Sequence, residues 1–132
     1  MSLGLDTSVT LRLLTGQPPS QAEAARALVA SAAAPVAISD LVVAETYFAL
    51  RHHYAVPHAE AVRALHALLS DDRIRSSGIA RAVLAGAVAQ GASKSQPGLL
   101  DRFIHADYAR DDLQLVTFDR ELARLGGARR LG

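Results

Sequence analysis

Four acidic residues in this chain of 132 residues stand where carboxylate chemistry could be built: Asp6, Glu45, Asp101 and Asp119. Asp6 follows the apolar run Leu3-Gly4-Leu5, and Asp119 follows Leu115-Val116-Thr117-Phe118. In open α/β sheets, sites form beyond the carboxyl ends of strands, so acids far apart in sequence can meet there. Glu45 shares a helical face with Leu41, Val42, Phe48 and Ala49, three and four positions away. A carboxylate inside a buried apolar stripe must be paired, protonated or metal-bound. Asp101 has Ile104, His105 and Tyr108 on its face. It also falls in the first turn of a helix, where the dipole favours the ionised form.

Four converging carboxylates would repel one another and raise each other's pKa. A divalent cation removes that cost, and an all-oxygen site suits Mg²⁺ or Mn²⁺. Such an ion activates water and neutralises charge developing on a phosphodiester. The chain has no cysteine and no histidine ligand pattern, which argues against structural zinc. Each acid also has a structural alternative. Asp6 and Asp119 can cap the helices that follow them, Glu45 can be a salt-bridge partner, and Asp101 can serve its helix dipole.

The elements that would carry these acids can be read from pattern. Ser2 to Leu5 reads as a short strand, and Val9 to Leu14 as a helix capped by Thr7 or Ser8. A second helix runs from Ser20, with Glu23 completing a capping box, to about Ala34. Pro35 stops it, and Val36 to Ser39 is a second strand. Ser39 or Asp40 caps a third helix to about Tyr54, and a fourth spans His58 to Ser70 with the stripe Val62, Leu65 and Leu69. Arg73 to Ser77 is a third strand, and Ile79 to Gln90 a fifth helix. The polar stretch 91–98 reads as flexible, and Pro97 opens a sixth helix to about Arg110. Leu113 to Phe118 is the clearest strand, Asp119 to Leu125 a short helix, and Ala128 to Leu131 a closing strand. Short strands alternating with helices, without repeats or a long linker, predict one α/β domain over residues 1–132. Its sheet is expected to be mostly parallel and covered on both faces.

Several neighbours could support the acids. The hydroxyls of Thr7, Ser8 and Thr117 adjoin them and can orient carboxylates or bound water. Arg120, Arg124, Arg129 and Arg130 cluster beside Asp119, either as ordinary surface or as phosphate contacts. Asp40 reads as a cap, and Asp107, Asp111 and Asp112 as a solvated helix end. Arg51-His52-His53 suits the C-terminal end of a helix.

Composition narrows the classes. Net charge is +1, and Lys94 is the only lysine among 14 basic residues. Arginine holds phosphate with a planar fork of donors. Aromatic content of 5 % is too low for a base-stacking platform. The absence of cysteine suits a reducing cytoplasm, and no apolar run is long enough for a membrane helix. A mean hydropathy of +0.16 is high for a small monomer and leads us to expect a homodimer. The third and fourth helices are expected to expose the apolar faces.

The segments Leu5-Asp6-Thr7-Ser8, Ile38 to Glu45, Leu99 to Ala106 and Leu115 to Asp119 together resemble the ordered acidic motifs of PIN domains. Their spacing and the chain length are similar to VapC-type toxins of bacterial toxin–antitoxin pairs. The resemblance implies a three-layer α/β/α sandwich with a central sheet of four to five short strands. It also implies a Mg²⁺- or Mn²⁺-dependent endoribonuclease with Asp6, Glu45, Asp101 and Asp119 as its site, an RNA substrate and a small antitoxin that blocks the groove. A catalytically inactive PIN-like binding module is the alternative. An aspartyl phosphatase of the haloacid dehalogenase type needs a second aspartate two residues after the first, where Ser8 stands. A response-regulator receiver needs a phosphoacceptor aspartate mid-chain after a strand and a lysine late in the chain, and the only lysine is Lys94.

Overall fold

The computed structural model describes residues 2–90 and 98–132. The polar stretch at 91–97, including Pro97, lies outside the described residues. Among the described residues there are five strands, and each of their pairings is parallel. β1 (Gly4–Leu5), β2 (Val36–Ile38) and β3 (Ile74–Arg75) form one sheet in that order, with Leu5 beside Ile38 and Val36 beside Ile74. β4 (Val116–Thr117) and β5 (Arg129–Arg130) form a second small sheet, with Thr117 beside Arg130. The expected parallel α/β arrangement is therefore present, with the strands divided three and two.

Parallel neighbours need crossover connections, and helices supply them. α1 (Thr7–Thr15) and α2 (Pro19–Ser31) join β1 to β2, while α3 (Asp40–His52) and α4 (His58–Leu69) join β2 to β3. α5 (Gly78–Gln90) and α6 (Leu99–Arg110) follow. The core is built where strand and helix apolar positions meet. Val36 and Ile38 of β2 lie against Val43 and Leu50 of α3, Val62, Leu65 and Leu69 of α4, and Leu84 of α5, all buried in one cluster. Thr10 of α1 and Thr46 of α3 are fully buried. The Thr10 hydroxyl donates to the Asp6 carbonyl at 2.8 Å, which is how a polar group is accommodated there.

Helix starts differ from the sequence reading in instructive ways. Asp6, not Thr7 or Ser8, caps α1, because its carboxylate reaches back to the Val9 N–H at 3.1 Å. Gly16 ends α1 at φ 71, a left-handed position that a side chain would strain. α2 begins two residues early, at Pro19, with Pro18 rather than Ser20 in the cap position and no side-chain cap. The expected Ser20–Glu23 capping box is absent, since proline's fixed φ starts the helix before Ser20. Ser39 caps α3 through Val42 N–H, and Asp40 becomes its first residue. The helix expected over Asp119 to Leu125 is only a 3-10 turn, Leu122–Arg124.

Candidate active site

Asp6 leaves β1 at the carboxyl edge of the three-stranded sheet and enters α1 at once. One of its oxygens, Oδ1, accepts from the Ser8 hydroxyl at 2.7 Å and from Val9 N–H at 3.1 Å. These donors, the Ser8 hydroxyl foremost, hold the Asp6 carboxyl below the ordinary carboxylate range. Asp6 is exposed, and both hydrogen bonds fall on Oδ1.

β2 delivers α3 to the same edge, because β1 and β2 run parallel and in register. The Thr7 hydroxyl donates to Glu45 Oε1 in a short hydrogen bond. Glu45 is thereby held against the residue that follows Asp6, so two of the four acids share one corner of the fold.

Glu45 is exposed, contrary to the expectation of a carboxylate within a buried stripe. Its neighbours Leu41 (83 % exposed) and Phe48 (48 %) face outward with it. The inward flank of α3 is instead Val43, Thr46, Ala49 and Leu50. α3 is apolar almost all the way round, so the pattern alone could not tell which side the core would take. Asp101 behaves alike. It is half-exposed in the first turn of α6, and its companions Ile104 and Tyr108 are exposed. The inward residues there are Leu99 and Phe103.

Asp119 follows β4 directly. Its Oδ1 accepts from Glu121 N–H at 2.8 Å and Leu122 N–H at 2.9 Å, capping the final 3-10 turn. The Thr117 hydroxyl accepts from Asp119 N–H at 2.9 Å, so it shapes the turn rather than the carboxylate. Among the described residues, no three acidic or histidine side chains converge as a group that could hold a metal ion. Thr7 brings Glu45 beside Asp6, while Asp101 stands in the first turn of α6 and Asp119 directly after β4.

Arg120, Arg124, Arg129 and Arg130 are all exposed. Successive strand residues point to opposite faces, so Arg129 and Arg130 cannot line the same one. Arg130 pairs in register with Thr117, two residues before Asp119. His105, named in the sequence only as a neighbour of Asp101 on its helix face, has its Nε2 2.7 Å from the Gly126 carbonyl and ties α6 to the closing turn, a contact that sequence reasoning missed. The same reasoning also missed the Asp40–Ser77 hydrogen bond, which links the start of α3 to the segment before α5. Neither carries a local sequence signal, since both partners are distant. No helix among the described residues is long and apolar enough to cross a membrane.

A family model described as PIN domain matches residues 4–128. Comparison with curated proteins gives no match. Among solved structures, the chain is similar to Mycobacterium tuberculosis VapC20, described as a sarcin–ricin loop cleaving toxin. The identity is 20 %, with 96 % of this chain and 97 % of that chain covered and a TM-score of 0.45.

Proposed function

The chain belongs to the PIN domain family, and from that premise we propose that it is a divalent-metal-dependent endoribonuclease, a VapC-type toxin held in check by a small antitoxin. The observation that carries the reading is the Thr7–Glu45 hydrogen bond beside Asp6. It holds Glu45 against the residue that follows Asp6, at the carboxyl edge of a parallel sheet, where such folds place their chemistry.

The donors fit a hard cation, being carboxylate and hydroxyl oxygens only. Asp6, Glu45, Asp101 and Asp119 would hold Mg²⁺ or Mn²⁺, and the ion would supply an activated water and offset charge on the scissile phosphate. The chain's own contribution is orientation. Ser8 and Val9 fix one Asp6 oxygen and Thr7 fixes Glu45, while two backbone N–H groups fix one Asp119 oxygen. Arg120, Arg124 and Arg130, the last paired with Thr117 two residues before Asp119, would bring the RNA backbone to this edge, with Arg129 on the opposite face of β5. The exposed Leu41, Phe48, Ile104 and Tyr108 support a homodimer, since apolar surface of this kind marks interfaces. α4, expected to share that role, buries Ala61, Val62, Leu65 and Leu69 within the core and packs against α5.

The absence of a three-acid group among the described residues favours one second reading, a PIN-like module that binds without cutting. Cleavage of RNA by the purified chain in Mg²⁺ or Mn²⁺, abolished by EDTA, decides between them. Cleavage that survives thorough chelation would overturn the metal-dependent reading. A folded chain that binds RNA but never cuts it would establish the alternative.

A further inference from the structure

The four acids stand on three different parts of the fold. Asp6 and Glu45 belong to the three-stranded sheet and the helices that leave it, Asp101 to α6, and Asp119 to the unit formed by β4, the 3-10 turn and β5. Among the described residues, neither strand of that unit pairs with the larger sheet. Its buried apolar residues are Leu115 and Leu122, and neither belongs to the central core cluster. Where Asp119 stands therefore depends on what fastens this unit to the body of the protein.

His105 of α6 is one such fastening. Its Nε2 lies 2.7 Å from the Gly126 carbonyl oxygen. A carbonyl only accepts, so Nε2 carries the proton and donates. His105 is four residues beyond Asp101, on the same face of α6. From Gly126 a run of bonded turns leads back to Asp119. Ala128 N–H donates to the Leu125 carbonyl at 3.0 Å, enclosing Gly126 and Gly127, and Leu125 N–H donates to the Leu122 carbonyl at 3.2 Å. Leu122 N–H donates in turn to Asp119 Oδ1 at 2.9 Å. Gly127 has φ 78, the backbone that the third residue of a type II turn requires. Gln114 Nε2 donates to the Gly127 carbonyl at 2.9 Å, so the turn is held from two sides.

We propose that His105 is a positioning residue: by holding Gly126 it sets where the Asp119 carboxylate stands relative to Asp101, without itself touching RNA. The inference rests on the ribonuclease reading for the reaction it serves. Two buried leucines give the unit little apolar contact to fix its orientation, whereas a hydrogen bond fixes direction as well as distance. A small displacement of a reacting group costs rate even when its source is remote from the chemistry. The cost falls on kcat, because the carboxylate stays present and only its position changes.

Three variants test this, each checked by circular dichroism and thermal melting. His105→Ala removes the donor. His105→Gln puts back an amide N–H of similar reach. Gly127→Ala leaves His105 in place and disfavours the left-handed backbone that presents the Gly126 carbonyl. Steady-state RNA cleavage in Mg²⁺ should show kcat lowered about five-fold in His105→Ala and in Gly127→Ala, with KM unchanged, and largely recovered in His105→Gln. In an Asp119→Asn background, His105→Ala should cost nothing further, because the two act as one unit. Calorimetric titration with Mn²⁺, without RNA, should find binding several-fold weaker in His105→Ala and restored in His105→Gln.

A five-fold loss that persists in full in the Asp119→Asn background overturns the proposal. So does a folded His105→Ala protein whose kcat and Mn²⁺ affinity are unchanged. A loss confined to KM would make His105 an RNA contact and overturn it as well. If the wild-type chain never cleaves RNA, the ribonuclease reading fails, and the Mn²⁺ titration decides alone. Affinity that falls in His105→Ala and returns in His105→Gln then supports the positioning role, and equal affinity in all three proteins overturns it.

Discussion

Replacing Thr7 with valine tests the corner that joins two of the acids. Valine keeps the β-branched shape and removes only the hydroxyl that donates to Glu45. Thr7 is half-buried and Glu45 exposed, so water competes for the bond. The net worth of such a hydrogen bond is about 1 kcal/mol rather than the larger value of a buried one. If Glu45 must be held in place for the reaction, that energy is lost in the transition state, and cleavage should slow about five-fold. The loss should fall on kcat, because Glu45 remains present and charged but is no longer fixed. Melting temperature should fall by only a few degrees, in line with the loss of about 1 kcal/mol. The assay is single-turnover cleavage of a short RNA at saturating Mg²⁺, alongside thermal melting. A Thr7→Val protein that melts like wild type and cleaves at an unchanged rate would refute the claim that this hydrogen bond organises the site.

Asp6→Asn, Glu45→Gln and Asp101→Asn should each remove RNA cleavage while circular dichroism stays native, and Asp119→Asn should leave a residue of activity; full activity in a folded Asp6→Asn protein would end the carboxylate mechanism. Burial, followed by the neighbouring Arg51 and Arg102, holds the His58 pKa below its ordinary 6.5, with the Tyr47 hydroxyl 2.7 Å from Nδ1. The unfolded chain therefore takes up that proton first, and stability should fall as pH drops through about 6.5 and level off below the folded value; thermal melts of wild type and His58→Gln between pH 7.5 and 5 should differ in slope, and parallel curves would count against it. Leu65, fully buried among β2, α4 and α5, should cost about 2–5 kcal/mol when cut to alanine, read by urea unfolding.

Much of the fold was legible because the signals were local. The α4 stripe of Val62, Leu65 and Leu69 gave both the helix and its inward face, and those residues are buried. Pro57 marked the real start of α4, whereas α2 ends at Ser31, before the stop expected at Pro35. Strand lengths were not legible. Leu113 to Phe118 has the composition of a full strand, yet only Val116 and Thr117 pair, because the partner β5 offers two residues. Val116 and Phe118 are exposed, at 49 % and 75 %, so apolar content there reports surface rather than core. Pairing depends on a segment a dozen residues away, and no single-segment pattern contains it.

The candidate site was legible as residue types and strand ends, but its burial was misjudged on α3. Apolar neighbours do not bury a carboxylate when they face outward themselves, as Leu41 and Phe48 do. This changes what a cation does. An exposed Glu45 is well solvated in the monomer, so relief of burial gives no reason for it to need a metal. In the proposed homodimer the situation reverses. Covering Leu41 and Phe48 would draw Glu45, which lies between them on the same face, out of water, and an ionised carboxylate loses solvation there. A divalent cation at Glu45 would then offset that loss only in the dimer. Linkage makes the effect mutual, so the cation should strengthen dimerisation and dimerisation should strengthen cation binding by the same factor. Sedimentation across a concentration series, in EDTA and in Mg²⁺, measures it. The dimer constant should rise several-fold in Mg²⁺ for wild type and stay fixed for Glu45→Gln. A dimer whose constant is indifferent to Mg²⁺, or a chain that stays monomeric at high concentration in both, would show that this face of α3 remains in water and that Glu45 is never desolvated by a second copy.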